Sequence, residues 1–206
     1  MEHPPSAAAA ADPYHTALAT FDELLAHAQA AGEPEPTAMT LATVRDGRPH
    51  ARIVLLKGAD TRGFRFFTNY TSAKAADLDA NAWAALCFHW KRLRDGVQVR
   101  VEGRVEKLPD ADSDAYFATR PRGSQLGAWA SLQSQPLPDP ARFEQRYAQA
   151  QAQYAHGPVP RPSHWGGYLV VPDRIEFWYG AQFRLHERHV YARDAAGVWT
   201  CGMLYP

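Results

Sequence analysis

Ala38-Met39-Thr40-Leu41-Ala42-Thr43-Val44-Arg45-Asp46-Gly47-Arg48-Pro49-His50-Ala51-Arg52-Ile53-Val54-Leu55-Leu56-Lys57 is the stretch whose reading decides the fold class. Its residues change to a period of two, the spacing of a strand with one buried face. Asp46-Gly47 sits midway, and this dipeptide tolerates the left-handed conformations of a tight hairpin turn. The stretch therefore reads as two antiparallel strands, Ala38–Val44 and Pro49–Lys57, joined through Arg45–Arg48.

The pattern recurs on the C-terminal side. Phe64–Asn69 reads as a third strand after a turn at Asp60–Gly63, and Ala82–Trp90 with Val97–Lys107 makes a second hairpin across Arg94-Asp95-Gly96. Gly167–Val171, Arg174–Tyr179, Phe183–Arg193 and Val198–Leu204 close the chain as strands. Helices interrupt them. Asp12 caps a helix with Pro13 at its first position, Leu18, Phe21, Leu25 and Ala28 follow at helical spacing, and Gly32 ends it. Ser72 caps a short helix to Asn81, Asp110–Thr119 is stopped by Pro121, and Asp139 with Pro140 opens a helix to Gly157. The expected division is an N-terminal tail and helix over 1–35, its first eleven residues loose, then one domain over 36–206. The fold class is mainly β with helical additions, a small barrel.

With 206 residues the chain can bury a real core, and 12 % aromatic with 21 % charged residues mark it as globular. Residues 1–44 hold six acids and no Lys or Arg, leaving 22 basic against 16 acidic residues beyond them. That bias falls far short of a nucleic-acid footprint. Cys87 and Cys201 form no CxxC pair, as suits a reducing compartment. No signal-peptide core and no apolar run of spanning length is present. The reading is a soluble cytoplasmic protein with neither nucleic-acid nor membrane partners. G-x-G-x-x-G, Walker, G-x-S-x-G and H-E-x-x-H motifs are absent, and His186-Glu-Arg-His189 has the wrong spacing for a zinc helix, so no metal is expected.

The residues with chemistry to offer are cations and hydroxyls. Arg52 and Lys57 bracket an apolar strand, either as its wet ends or as rim cations holding a phosphate-bearing ligand. Phe67-Thr68-Asn69 leads into the Ser72 helix with Lys74 in its first turn, a ready anion site. Tyr116 and Arg120 lie four apart near a helix end, with Ser124 shortly after, three donors suited to one phosphate. Gln98, Gln133, Ser134 and Trp178 add amide, hydroxyl and stacking capacity. In Arg184-Leu185-His186-Glu187-Arg188, strand alternation puts Arg184, His186 and Arg188 on one face, spaced by roughly 6.6 Å. Two guanidiniums flanking an imidazole suit a planar or phosphorylated anion, and a solvated edge strand is the plain alternative.

Taken together, Arg52-Ile-Val-Leu-Leu-Lys57, Phe67-Thr68-Asn69, Arg120-Pro-Arg-x-Ser124-Gln-x-Gly-Ala-Trp129, Gln133-Ser134, Trp165-Gly-Gly167, Ile175-Glu-Phe-Trp178 and Arg184-Leu-His-x-Arg188 resemble the pyridoxine (pyridoxamine) 5′-phosphate oxidase family over 36–206. The resemblance implies an FMN-binding split β-barrel, a homodimer with flavin at its interface. It implies flavin contacts at Arg52, Ile53, Val54, Leu55, Leu56, Lys57, Phe67, Thr68, Lys74, Gln98, Gln133, Ser134, Trp178 and Arg188. Substrate contacts fall on Lys57, Tyr116, Arg120, Ser124, Arg184 and His186, the last two as catalytic residues, Arg184 over the ring face at the reacting carbon and His186 positioning the ring and its phenolic oxygen. The implied reaction oxidises pyridoxamine or pyridoxine 5′-phosphate to pyridoxal 5′-phosphate, with molecular oxygen as acceptor and hydrogen peroxide as product. Ala73 and Met203 stand where the family usually carries Arg. Competing readings are a related flavin oxidase acting on another ring, as in the phenazine branch, and a non-catalytic carrier of flavin or pyridoxal phosphate. The phosphate grip of Lys57, Tyr116, Arg120 and Ser124 argues against the first.

Overall fold

Asp46 and Gly47 both take positive φ, 52° and 72°, in the computed structural model of this chain. That pair makes the tight turn whose twist matches that of its strands. The structure describes residues 12–206, and the tail expected over 1–11 lies outside them. The turn joins β1 (Ala38–Arg45) to β2 (Arg48–Leu55), paired from Ala38↔Leu55 to Arg45↔Arg48. The second hairpin also forms, β5 (Trp83–Trp90) against β6 (Val97–Lys107).

The remaining strands are β3 (Gly58–Asp60), β4 (Gly63–Asn69), β7 (Trp165–Tyr179), β8 (Glu187–Arg193) and β9 (Trp199–Leu204). All nine join one sheet, in the order β2-β1-β5-β6-β7-β4-β3, with β8 and β9 branching from β7. β6 follows one edge of β7 along its length. The other edge divides, pairing β4 from Trp165 to Val170 and β8 from Arg174 to Tyr179. Side chains alternate as a barrel requires: Val97, Val99, Val101 and Val105 of β6 point into the core. α1 (Pro13–Ala30) covers that core, with Phe21 packed edge-on to Phe64 at 5.0 Å and Phe88 at 5.1 Å. A second apolar cluster joins α3 (Asp110–Thr119), α4 (Arg122–Ala130) and α5 (Pro140–Gln153) to Trp165. α2 (Ala73–Ala80) bridges β4 and β5.

Four expectations need correction. Gly167–Val171 and Arg174–Tyr179 are one strand, because Pro172 falls where the ladder to β6 shifts register between Glu102 and Gly103. A Cβ on Gly103 would lie 2.1 Å from the Val171 carbonyl oxygen, so only glycine allows this close approach. Pro121 ends α3 as expected but also leads directly into α4, a helix that the glycines at 123 and 127 conceal. Ser72 precedes α2 without a side-chain cap bond. Finally, the Phe183–Arg193 strand begins only at Glu187. Gln182–Arg184 is a single 3₁₀ turn with Phe183 and Arg184 at φ 57° and 62°. Arg184, His186 and Arg188 therefore do not alternate along one strand.

Candidate active site

β2, β4 and the helical cluster end around one cleft of ≈ 690 Å³. β2 brings Ile53, Val54 and Leu55, with Lys57 just beyond it. β4 and α2 bring Phe67, Thr68, Asn69 and Lys74. Tyr116, Arg120 and Ser124 come from α3, α4 and their junction, and Gln133 from the loop after α4. These are all residues that the sequence singles out, Asn69 as part of the Phe67-Thr68-Asn69 motif alone. Trp165 lines the cleft as well.

Two of the cations there, Lys74 and Arg120, make no hydrogen bond or ion pair with a carboxylate among the described residues. Lys74 Nζ donates to Gln133 Oε1 at 2.8 Å, Thr68 Oγ1 at 3.1 Å and Ser72 Oγ at 3.3 Å. Burial and the positive charge of Arg52 hold its pKa below the usual lysine range. Beside it, Ser134 Oγ accepts from the backbone N–H of Ala73, capping α2 in place of Ser72. Arg120 lies over the Trp165 ring, 4.6 Å from its centroid, and over Phe117 at 5.4 Å. Burial lowers its pKa, and its Nη1 is buried without a hydrogen-bond partner. An unsatisfied buried guanidinium nitrogen is costly, and an incoming anion would relieve it. Tyr116 stacks on Phe67 at 4.0 Å, with interplanar angle 16°.

Arg52 is turned elsewhere. Its Nη1 donates to Thr43 Oγ1 at 2.6 Å and Leu41 O at 3.2 Å, and its Nη2 to Asp77 Oδ2 at 3.0 Å. Asp77 is a buried carboxylate on α2 that sequence reading missed. Burial alone would raise its pKa, but hydrogen bonds from Thr43, His50 and Arg52 outweigh that and hold it low. Nothing in the sequence marks it, since Asp79 two residues on is exposed. Leu56 is buried in the barrel core.

Gln98, Trp178, Arg184, His186 and Arg188 do not border the cleft of their own chain. Gln98, Trp178 and Arg188 lie abreast in register across β6, β7 and β8. His186 rests against Trp178 with ring centroids 4.5 Å apart, and its Nδ1 accepts from the Ala181 N–H at 3.2 Å. In the neutral ring that bond leaves the proton on Nε2. Arg188 donates through Nε and Nη2 to Glu176 Oε1, at 2.9 and 2.7 Å, and through Nη1 to Tyr205 O at 3.0 Å. Arg174 reaches Glu176 at 2.8 Å, and Arg100 reaches the same carboxylate at 3.7 Å. Burial would raise the pKa of Glu176, but these arginines hold it below the usual range. Glu176 is part of the Ile175–Trp178 motif, yet its spacing gives no sign that three arginines converge on it.

Comparison with known proteins covers both regions. The family described as pyridoxamine 5′-phosphate oxidase matches residues 25–154, and the pyridoxine 5′-phosphate oxidase C-terminal dimerisation region matches 165–206. A pyridoxine/pyridoxamine 5′-phosphate oxidase of Myxococcus xanthus (strain DK1622) is 56 % identical over 187 residues, 90 % of this chain and 89 % of its own length. One from Xanthomonas euvesicatoria pv. vesicatoria (strain 85-10) is 55 % identical over 95 % of this chain and 99 % of its own. The chain belongs to the pyridoxine/pyridoxamine 5′-phosphate oxidase family. Among solved structures, PhzG from Burkholderia lata 383, in complex with tetrahydrophenazine-1-carboxylic acid, shares the fold with a TM-score of 0.87 at 29 % identity. It covers 100 % of this chain and 98 % of its own. A pyridoxamine 5′-phosphate oxidase-related, FMN-binding protein from Nostoc punctiforme PCC 73102 gives a TM-score of 0.70 at 18 % identity, with full coverage of both chains. The fold is the split β-barrel of this oxidase family, and the sheet face bearing Trp178, His186 and Arg188 lies in its dimerisation region.

Proposed function

We propose that this protein oxidises pyridoxamine 5′-phosphate or pyridoxine 5′-phosphate to pyridoxal 5′-phosphate, with FMN as cofactor and oxygen as acceptor, in the cytoplasm. The observation that carries the reading is a single cleft holding Lys74 and Arg120, neither paired with a carboxylate among the described residues. A flavin phosphate and a vitamin phosphate each call for one such group. Lys74, Thr68, Gln133 and Ser134 fit the first, joined by the N-terminus of α2. Arg120, Tyr116, Ser124 and Lys57 fit the second. The bound flavin would supply the hydride acceptor and return the electrons to oxygen as hydrogen peroxide; with the amine substrate the oxidised carbon then takes up water and releases ammonia, and with the alcohol it is already the aldehyde.

The chain's own part is to hold and orient. The apolar edge of β2 excludes water from the ring site, and the phosphate grip fixes the ring's distance from the flavin. In this proposal the protein is a homodimer, and Arg184 and His186 reach substrate from the second copy. His186, with its Nδ1 already occupied, would present Nε2 to a polar ring atom. Arg188 with Gln98 and Trp178 would line the flavin from that side.

The PhzG likeness favours a second reading, a carboxylated multi-ring substrate in the same cleft. The decisive experiment is anaerobic mixing of FMN-loaded protein with pyridoxamine 5′-phosphate, followed by admission of oxygen. Flavin bleaching, recovery with peroxide, and pyridoxal 5′-phosphate formation are expected. Bleaching by a dihydrophenazine carboxylate but by neither phosphorylated vitamer would replace this reading with the second.

A further inference from the structure

Trp165 carries an inference beyond the residues assigned above. It opens β7 opposite Asn69, is buried, and yet lines the cleft. Its ring is nearly parallel to Phe67 (5.5 Å, 9°) and to Tyr116 (6.2 Å, 7°). Gly167 makes room for the Phe67 ring of this stack, and Gly166 for the neighbouring Tyr70. A Cβ on Gly167 would sit 2.7 Å from Phe67 Cε1, and one on Gly166 2.2 Å from the Tyr70 hydroxyl. The Phe67 ring therefore lies against bare backbone, held beside the indole.

The Arg120 guanidinium rests over that indole at 4.6 Å, with Nη1 buried and unpartnered. No carboxylate sets the orientation of this side chain; aromatic faces do. We infer that Trp165 is a positioning residue for the phosphate grip, its indole holding Arg120 in place while leaving the guanidinium's hydrogen-bonding capacity to the ligand. A carboxylate in that role would consume the donors and neutralise the charge, whereas a π face stabilises the cation and uses no donor. The Phe67–Tyr116 stack places the Tyr116 ring against the same platform, so one set of rings aligns two members of the grip.

The inference rests on the reading of Arg120 as the phosphate ligand, and the test separates the two. KM for pyridoxamine 5′-phosphate, kcat and the inhibition constant of inorganic phosphate are measured for wild type, Trp165→Phe, Trp165→Leu and Arg120→Ala, and for each Trp165 variant combined with Arg120→Ala. Loss of a partly desolvated cation–π contact should raise KM and the phosphate constant about tenfold in Trp165→Leu and about threefold in Trp165→Phe. kcat should stay within about threefold, the scale of an effect confined to binding. In the Arg120→Ala background the Trp165 changes should add clearly less than in wild type, because the cation that the indole holds is already gone and only the Tyr116 stack remains to be disturbed. A packing role alone would give the same rise in both backgrounds, and that result overturns the inference. If Trp165→Leu does not fold, Trp165→Phe in both backgrounds decides alone. An Arg120→Ala enzyme with unchanged KM and phosphate constant would remove the underlying reading. An Arg120→Ala effect with unaltered Trp165 variants would remove only the inference.

Discussion

The cleft and the C-terminal sheet face are both rich in cations, and they treat them in opposite ways. In the cleft, Lys74 bonds only to hydroxyls and an amide, and Arg120 lies on aromatic rings with one nitrogen unsatisfied. On the sheet face, Arg100, Arg174 and Arg188 converge on one buried carboxylate, Glu176. The first arrangement leaves positive charge available to a ligand. The second spends it on holding β6, β7 and β8 in register, at the branch where β7 parts from β4. Counting arginines in sequence therefore says little, and the placement of the nearest acid decides what each can do.

Removing Glu176 should break this contrast most severely. Glu176→Ala leaves Arg188 with no carboxylate and Arg100 and Arg174 with only the partly exposed Glu102, and should cost about 3 kcal/mol, the low end for a broken buried pair because the arginines are partly exposed. Chemical denaturation measures it, and a loss under about 1 kcal/mol would mean that the face does not depend on its acid. The pH dependence has a definite sign. The folded pKa of Glu176 is depressed, so its contribution is complete above the unfolded value of about 4.3. The advantage of wild type over Glu176→Gln should stay level from neutral pH to about 5 and shrink as pH falls further through the depressed value.

The next largest effect tests whether the sheet face also takes part in turnover. Arg184→Ala and His186→Ala should each lower kcat/KM about 10²-fold with FMN retained, the scale of a lost positioning or proton-transfer group. Steady-state kinetics with flavin absorbance reads both quantities. Release of flavin with unchanged turnover after reconstitution would reverse the assignment.

The smallest change adds a cation to the cleft side. Ala73 begins α2 beside Lys74, and its N–H is already capped by Ser134. Ala73→Arg should tighten FMN about tenfold, as a charge-assisted bond to phosphate would, with turnover unchanged at saturation. Equal dissociation constants by titration of the two apo-proteins would show that Lys74 and the helix terminus already suffice.

Much of the cleft was legible because local signals coincide there. Asp46-Gly47 sets the first hairpin, Pro121 ends α3 at Tyr116 and Arg120, and the β4–α2 junction puts Thr68 and Lys74 together. Reading failed at Arg184, where alternation assumes extended backbone and two left-handed residues intervene. The partners of Arg52 and Glu176 were not legible for another reason. A side chain's partner across a sheet or helix is set by register and packing, over separations such as the 25 residues between Arg52 and Asp77.

The sequence alone determined the strand-rich class, the first two hairpins, most of the residues that line the cleft and the family resemblance. Each depends on neighbours within a few positions or on ordered motifs. Tertiary structure decided that β7 is one strand dividing between β4 and β8, and that its predicted site residues fall on two separate surfaces. It also decided which cations are neutralised. Burial and Coulomb interactions act through space, so an arginine facing Glu176 and one facing Trp165 differ in function although nothing adjacent to either in the chain announces it.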